Sequence, residues 1–331
     1  MQFQNKNKIA YLGALTLLFS YAEMIFPKIL PFFRLGLGNI AILLAFDLSF
    51  PSFLLLTLIK SLASSIMSGT LLSPFFIISL SQSFFSGISM YLLARLNQVC
   101  KNKLFSIYGI SIFGSALSAL IQILLSSIYL GKGTLALLGL MLLFSIFSGI
   151  LTALLSQILH IPSQVPVLIR NMGGQTPKKS ITPLLILLIL SASICIFLIN
   201  NLIFLIIVFF LSFFFQKISG RKIYLLPHIS LWLFIMITSL VVPNGQVLLS
   251  IGKFSVTKGA FIQALIKSLK LSSVSALSQC AANFKPQGDR PLALVLSYFR
   301  GLSNIFRNTQ GNFLFKLKTA LQATEIQDLD N

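Results

Sequence analysis

The sequence predicts an all-α fold, a polytopic helical bundle integral to a membrane, and three observations predict it. Hydrophobic residues make up 56% of the chain and charged residues only 9%, where a soluble domain carries about 25% charged residues. The apolar residues fall into repeated runs near the roughly 20 that a helix needs to cross a hydrocarbon core. Basic residues gather between those runs, as they do in the loops of membrane proteins.

The runs can be taken in order. The first extends from about Ile9 to Phe26, and no small-residue cleavage site follows it, so it is expected to stay in place as a span. A short run follows at about Gly38–Phe50, then about Phe53–Leu72, Phe75–Leu93, Leu104–Leu130 and Leu135–Leu159. Six runs thus define a first bundle over residues 1–161. Residues 162–180 hold Pro162, Pro166, Arg170, Gly173, Gly174, Pro177, Lys178 and Lys179. Turn formers with positive charge predict a cytoplasmic linker. A second membrane domain is expected over 181–310. Its apolar runs lie at about Thr182–Leu198, Leu202–Phe215 and Ile229–Val242, an amphipathic stretch covers Lys258–Ala281, and a last helix covers about Pro291–Phe306. Residues 311–331 read as a polar tail ending in Glu325, Asp328 and Asp330.

Loop charge sets an orientation. With Lys6, Lys8 and the N terminus in the cytoplasm, alternate crossings place Arg95, Lys101, Lys103, Arg170, Lys178, Lys179, Lys217, Arg221 and Lys222 on the same side. The net charge of +19 is scattered between apolar runs, which argues for membrane lipid and against nucleic acid as its counterpart.

Enzyme chemistry finds little support. Only Glu23 and Asp47 are acidic before residue 289, so no pair of carboxylates close in sequence is available to converge on magnesium. The chain lacks a GxxxxGK[ST] loop. Cys100, Cys195, Cys280, His160 and His228 lie far apart, without metal-ligand spacing. No cofactor and no metal are expected.

Binding is another matter. Pro27, Pro31, Gly36 and Gly38 break the helix where the first span ends, with Lys28, Arg34 and Asn39 among them. Broken backbone at membrane depth is tolerated where protein or a watery cavity satisfies it. The segment reads either as the lining of a binding site or as a tight re-entrant turn with no ligand. Glu23 reads as a pocket group, pairing with Lys28 or Arg34, or as an interfacial carboxylate. Lys60 falls near the middle of its run, where an ammonium faces the bundle interior or snorkels to an interface. It reads as an anion-binding group, as a partner for Asp47, or as a snorkelling side chain. Ala10 and Ala14, beside Gly13, have the spacing that lets two helices approach closely.

The run Leu35-Gly36-Leu37-Gly38-Asn39-Ile40 and the run Ser68-Gly69-Thr70-Leu71-Leu72-Ser73-Pro74 resemble the Gx transporter family, also described as heptaprenyl diphosphate synthase component I. That family is related to the substrate-binding S components of energy-coupling factor transporters, and the resemblance covers about residues 8–160. It implies a six-helix bundle with a substrate pocket open to the outside, and a basic residue where Lys60 stands. It also implies a small-xxx-small motif on the first helix for docking a T component, where Ala10 and Ala14 fit. In the family a His-Asn pair precedes a Gln on the fifth helix; here Gln122 stands, with Ser118 and Ala119 in the pair's places. The second half, about 181–310, resembles a T component through Gly252-Lys253-Phe254-Ser255-Val256-Thr257-Lys258-Gly259 and the helix after it. T components press Ala-Arg-Gly motifs on two ATPase subunits. This chain has no Ala-Arg-Gly, and Arg300, Gly301 and Arg307 lie nearest that region.

The expected function is uptake of a small molecule across the cell membrane, with substrate contacts at Glu23, Arg34, Gly36, Gly38, Asn39, Lys60 and Gln122. ATPase subunits in separate chains would supply energy through Arg300 and Arg307. The rival classes are a non-catalytic membrane subunit of a polyprenyl diphosphate synthase and a structural membrane scaffold.

Overall fold

The computed structural model describes residues 2–25, 36–101, 104–159, 166–170, 183–240, 246–251, 254–281, 291–323 and 325–328. Twelve α-helices and four short strands follow one another among them. The first is α1 (Gln2–Ile25), followed by a 3-10 turn over Leu37–Asn39 and a four-residue helix, α2 (Ile40–Leu43). Then come α3 (Phe50–Ser68), α4 (Pro74–Val99), α5 (Ile107–Leu130), a 3-10 stretch over Lys132–Leu137, and α6 (Leu138–Ile158). After β1 (Val167–Arg170) the second half supplies α7 (Pro183–Leu198), α8 (Leu202–Ile218) and α9 (Leu225–Leu240). The hairpin β2 (Val247–Ile251) and β3 (Phe254–Thr257) leads into α10 (Lys258–Ala281), and α11 (Pro291–Asn308), α12 (Phe313–Gln322) and β4 (Glu325–Asp328) close the described chain.

The expected all-α membrane fold is what the structure shows. Five helices are long and apolar enough to cross a membrane among the described residues: α3, α4, α5, α6 with its 3-10 entry, and α10. Local sequence explains their ends. Ser49 and Ser73 precede Pro51 and Pro74 in the first turns of α3 and α4, where a missing N–H costs nothing. The Ser106 hydroxyl accepts from the Gly109 N–H at 3.1 Å to cap α5.

The first bundle is built around α1. Its residues Ala10, Leu12, Ala14, Leu15, Leu17 and Leu18 are buried on every side, which is why this run is apolar all round rather than on one stripe. The outer faces of α5 to α8 are apolar too: Phe113, Ile128, Phe147, Leu187, Ile203 and Phe210 are all exposed. A surface of that kind suits hydrocarbon rather than water.

The second apolar run differs from its expectation. Between Gly38 and α3 lie only the 3-10 turn and the four-residue α2, so of the six helices in the first half five are long and one is short. At the far end of that stretch, Lys8 pairs with Asp47 at 4.0 Å, and Tyr91 and Arg95 both donate to the Leu48 carbonyl at 3.0 Å.

The division at residue 181 also differs in detail. Helices α7, α8 and α9 surround α10, with Trp232 donating to the Ser272 hydroxyl at 2.8 Å. Helix α11, expected with that half, packs on α1 and α3 instead. The tail that reads as polar folds into α12 and β4; Leu317, Leu321 and Ile326 are buried in the core around α1. Strand β4 pairs in parallel with β1, whose residues fall in the linker region. The other linker residues, 162–165 and 171–180, lie outside the described residues.

The two bundles cross. The end of α5 and the turn between α3 and α4 lie at one end of the first bundle. Both rest on α10: Lys267 donates to the Leu130 carbonyl at 2.8 Å, and the Leu72 N–H donates to the Ser278 hydroxyl at 2.9 Å. Eleven residues of helix separate those contacts, about 16 Å of rise, so α10 spans the bundle end. Gln279 meets Gly69 on one side and accepts from Gln216 at 2.7 Å on the other. Loop-charge counting assigns those two ends to opposite membrane faces.

Candidate functional site

The end of α1 sets the site. Thr16 and Ser20 turn their hydroxyls back onto the carbonyls of Gly13 and Thr16, at 2.6 and 2.7 Å, which leaves the helix surface narrow. Gly36 then takes a left-handed conformation, φ 69°, that a side chain would strain. Its N–H donates to the Glu23 carboxylate at 3.3 Å. Gly38 is pressed onto α1: a Cβ there would lie 2.8 Å from the Ser20 hydroxyl and 3.3 Å from the Thr16 carbonyl. The turn therefore seats Asn39 beside α3, where the Lys60 ammonium donates to its side-chain oxygen at 2.5 Å.

Lys60 thus points inward to the turn rather than snorkelling, and the carboxylate of Asp47 is held by Lys8, not by Lys60. Around Lys60 and Asn39 opens a cavity of about 100 Å³, room for a small polar solute or several waters. Six residues that the sequence singles out line it together: Glu23, Gly36, Gly38, Asn39, Lys60 and Gln122. Arg34, the seventh, lies outside the described residues, as does Lys28.

Sequence reasoning missed most of the wall. Ser79, Gln82, Ser83 and Ser86 of α4, Ser115 and Ser118 of α5, and Ser145 and Ser148 of α6 all face the same space. The signal was available: in each helix the polar residues recur at three- or four-residue spacing, which puts them on one face. In a membrane helix that stripe marks the inside. The Gln82 amide nitrogen is buried with no hydrogen-bond partner among the described residues. The wall offers one ammonium, one carboxylate, three side-chain amides and many hydroxyls, each able to donate and accept. Such a set suits a small polar molecule with an anionic group near Lys60.

The remaining predicted residues lie elsewhere. Ala10 and Ala14 are fully buried in the cluster that holds Val295, Tyr298 and Leu302 of α11. Tyr11 and Tyr298 meet edge to face with ring centroids 6.0 Å apart. A helix of the same chain therefore covers this side of α1. Arg300 is half-buried on α11 and donates to the Ser297 hydroxyl at 3.3 Å; Arg307 is exposed at the end of that helix. Neither reaches the cavity. His228 meets Phe213 edge to face with ring centroids 4.8 Å apart, and His160 lies outside the described residues. Among the described residues, no three His, Cys, Asp or Glu side chains gather as a metal site requires.

Comparison with known families divides the chain in two. Residues 12–159 match the family described as Heptaprenyl diphosphate synthase component I, over nearly the stretch that carries the resemblance in the sequence. Residues 180–283 match a Domain of unknown function (DUF8519), which gives no support to a T-component identity for the second half. No curated protein and no solved structure matches the chain.

Proposed function

We propose that this chain is a non-catalytic membrane transport protein. It captures a small polar molecule bearing an anionic group in the serine-lined cavity and passes it across the cell membrane, its N terminus in the cytoplasm. One observation carries the reading: the broken turn after α1, Lys60 at mid-helix and the polar stripes of three further helices converge on one cavity. Ammonium and hydroxyl groups at membrane depth are costly to desolvate, which favours a use that repays them. Energy comes from ATPase subunits in separate chains, in the manner of energy-coupling factor systems, with the second half and the basic face of α11 as the region they address.

The experiment is a thermal-stabilisation screen of the purified full chain against small carboxylates, phosphates and zwitterions, repeated with Asn39→Ala and Lys60→Gln. A compound that stabilises the wild type and neither variant supports the reading; proteoliposome uptake of that compound follows. Compounds that stabilise all three equally overturn it.

A second reading rests on the family description matched by residues 12–159. The chain would then be the membrane partner of a soluble polyprenyl diphosphate synthase. Co-purification with an Asp-rich soluble synthase, unaffected by Lys60→Gln, separates this from transport.

A further inference from the structure

A second cavity, of about 470 Å³, lies on the seam between the two bundles. Ile128 and Tyr129 of α5 form one wall, Phe197 and Asn200 at the α7–α8 turn another, and α10 the third. Helix α10 presents Lys267 and Lys270 to it, one turn apart on one face. Among the described residues, their ammonium groups are held by uncharged oxygens. Lys267 donates to the Leu130 carbonyl at 2.8 Å; Lys270 donates to the Phe197 carbonyl and to the Asn200 side chain, each at 2.8 Å.

Among the described residues no carboxylate lines the cavity and neither lysine forms an ion pair. Lys270 is 8% exposed. Two like charges set side by side against an apolar wall, with dipoles alone for company, are poorly compensated. Each ammonium has three donors, so both keep a proton for a further acceptor. Ile128, Phe197, Ile266 and Leu271 give the wall an apolar flank, and Gln263, Tyr129 and Asn200 add neutral polar groups. The cavity combines a doubly positive end with a greasy flank, in a size range common for small-molecule sites.

We propose that the seam cavity between α5, the α7–α8 turn and α10 binds an amphiphilic phosphate, the phosphate on Lys267 and Lys270 and the apolar chain along Ile128 and Phe197. The phosphate reaches it either as the headgroup of a bilayer lipid or as a free phosphate ester of an apolar alcohol. Bound there, it joins the first bundle to the second, because Lys267 already reaches across to α5.

The test uses the full chain, purified in a non-ionic detergent and, in parallel, placed in nanodiscs. Dodecyl phosphate is titrated in detergent, with inorganic phosphate and dodecanol as head-only and tail-only probes. Nanodiscs of phosphatidylglycerol are compared with nanodiscs of phosphatidylcholine. Dodecyl phosphate is expected to raise the melting temperature, and Lys267→Gln or Lys270→Gln to weaken its binding about ten- to a hundredfold, as the loss of a charged hydrogen bond implies. Lys267→Arg keeps the charge and is expected to retain binding, and the exposed Lys318→Gln to leave it unchanged. Stabilisation in detergent identifies a free phosphate ester as a source. A gain confined to phosphatidylglycerol nanodiscs and lost in both glutamine variants identifies a lipid headgroup. The proposal is overturned if neither preparation responds, if the glutamine variants respond like wild type, or if inorganic phosphate alone binds as tightly as dodecyl phosphate.

Discussion

Lys60 on α3 donates to Asn39, the last residue of the turn that follows α1, and so ties two elements across the mouth of the serine-lined cavity. The contact holds a cation at membrane depth and aims it. Replacing Asn39 by Ala removes the acceptor and is expected to cost about 1.5–3 kcal/mol, the range for a hydrogen bond to a charged group. Replacing it by Asp keeps an acceptor and adds a negative charge. Asn39→Asp is therefore expected to match wild type in thermal unfolding while losing affinity for anionic ligands. Equal affinity in the two proteins would remove Lys60 from the binding chemistry.

Gln82 makes a prediction of the opposite sign. Its amide nitrogen is buried without a partner among the described residues, a condition that costs about 1–3 kcal/mol. Gln82→Leu is expected to raise the melting temperature of the ligand-free protein and to weaken ligand binding. A group kept for function shows that split. A variant that loses stability instead places Gln82 in the packing of α4.

The contact of α1 with α11 is tight at Gly13, where a Cβ would lie 2.8 Å from a methyl of Val295. Gly13→Ala is expected to destabilise the chain by about 1–3 kcal/mol through overpacking. Val295→Ala in the same chain is expected to restore part of that loss. Thermal unfolding of both singles and the double gives the coupling directly, and strictly additive effects would mean that the two residues do not touch.

Crossed bundles predict a distance. Gln279 contacts both Gly69 and Gln216, and Gln216 donates to the Lys222 carbonyl at 3.3 Å. Spin labels at Thr70→Cys and Lys222→Cys, with Cys100, Cys195 and Cys280 replaced by Ser, are expected to sit well inside the thickness of a hydrocarbon core, about 30 Å. A separation at or beyond that thickness would restore the alternate crossings that loop charge implies.

Much of the helix inventory was legible in the sequence. The boundary between α7 and α8 falls at the Asn200-Asn201 break, and α9 ends at Leu240, just before Pro243-Asn244-Gly245 in the sequence. The turn at Gly36–Asn39 and the ammonium of Lys60 stood out for the same reason: a break or a charge in lipid needs a partner. The second run was read as a span because its composition is apolar, but at 13 residues it is too short for a straight crossing, and only α2 is helical beyond the turn. The serine stripes were passed over because serine is common in membrane helices, and only their phase within each helix distinguishes them. The crossing of the bundles and the docking of α11 on α1 depend on contacts hundreds of residues apart. Helical periodicity reports which face is buried, not which helix covers it.

Strand β4 and helices α11 and α12 carry a cost in time. The Tyr11 hydroxyl donates to the Leu321 carbonyl across 310 positions of sequence, so α1 waits for some of the latest residues described before its packing is complete. A nascent chain keeps one flank of α1 open to lipid, or to a stray helix of a neighbouring molecule, throughout the making of nine further helices. Closing so distant a contact is slow, so that flank of α1 is expected to be among the last parts of the fold to be completed.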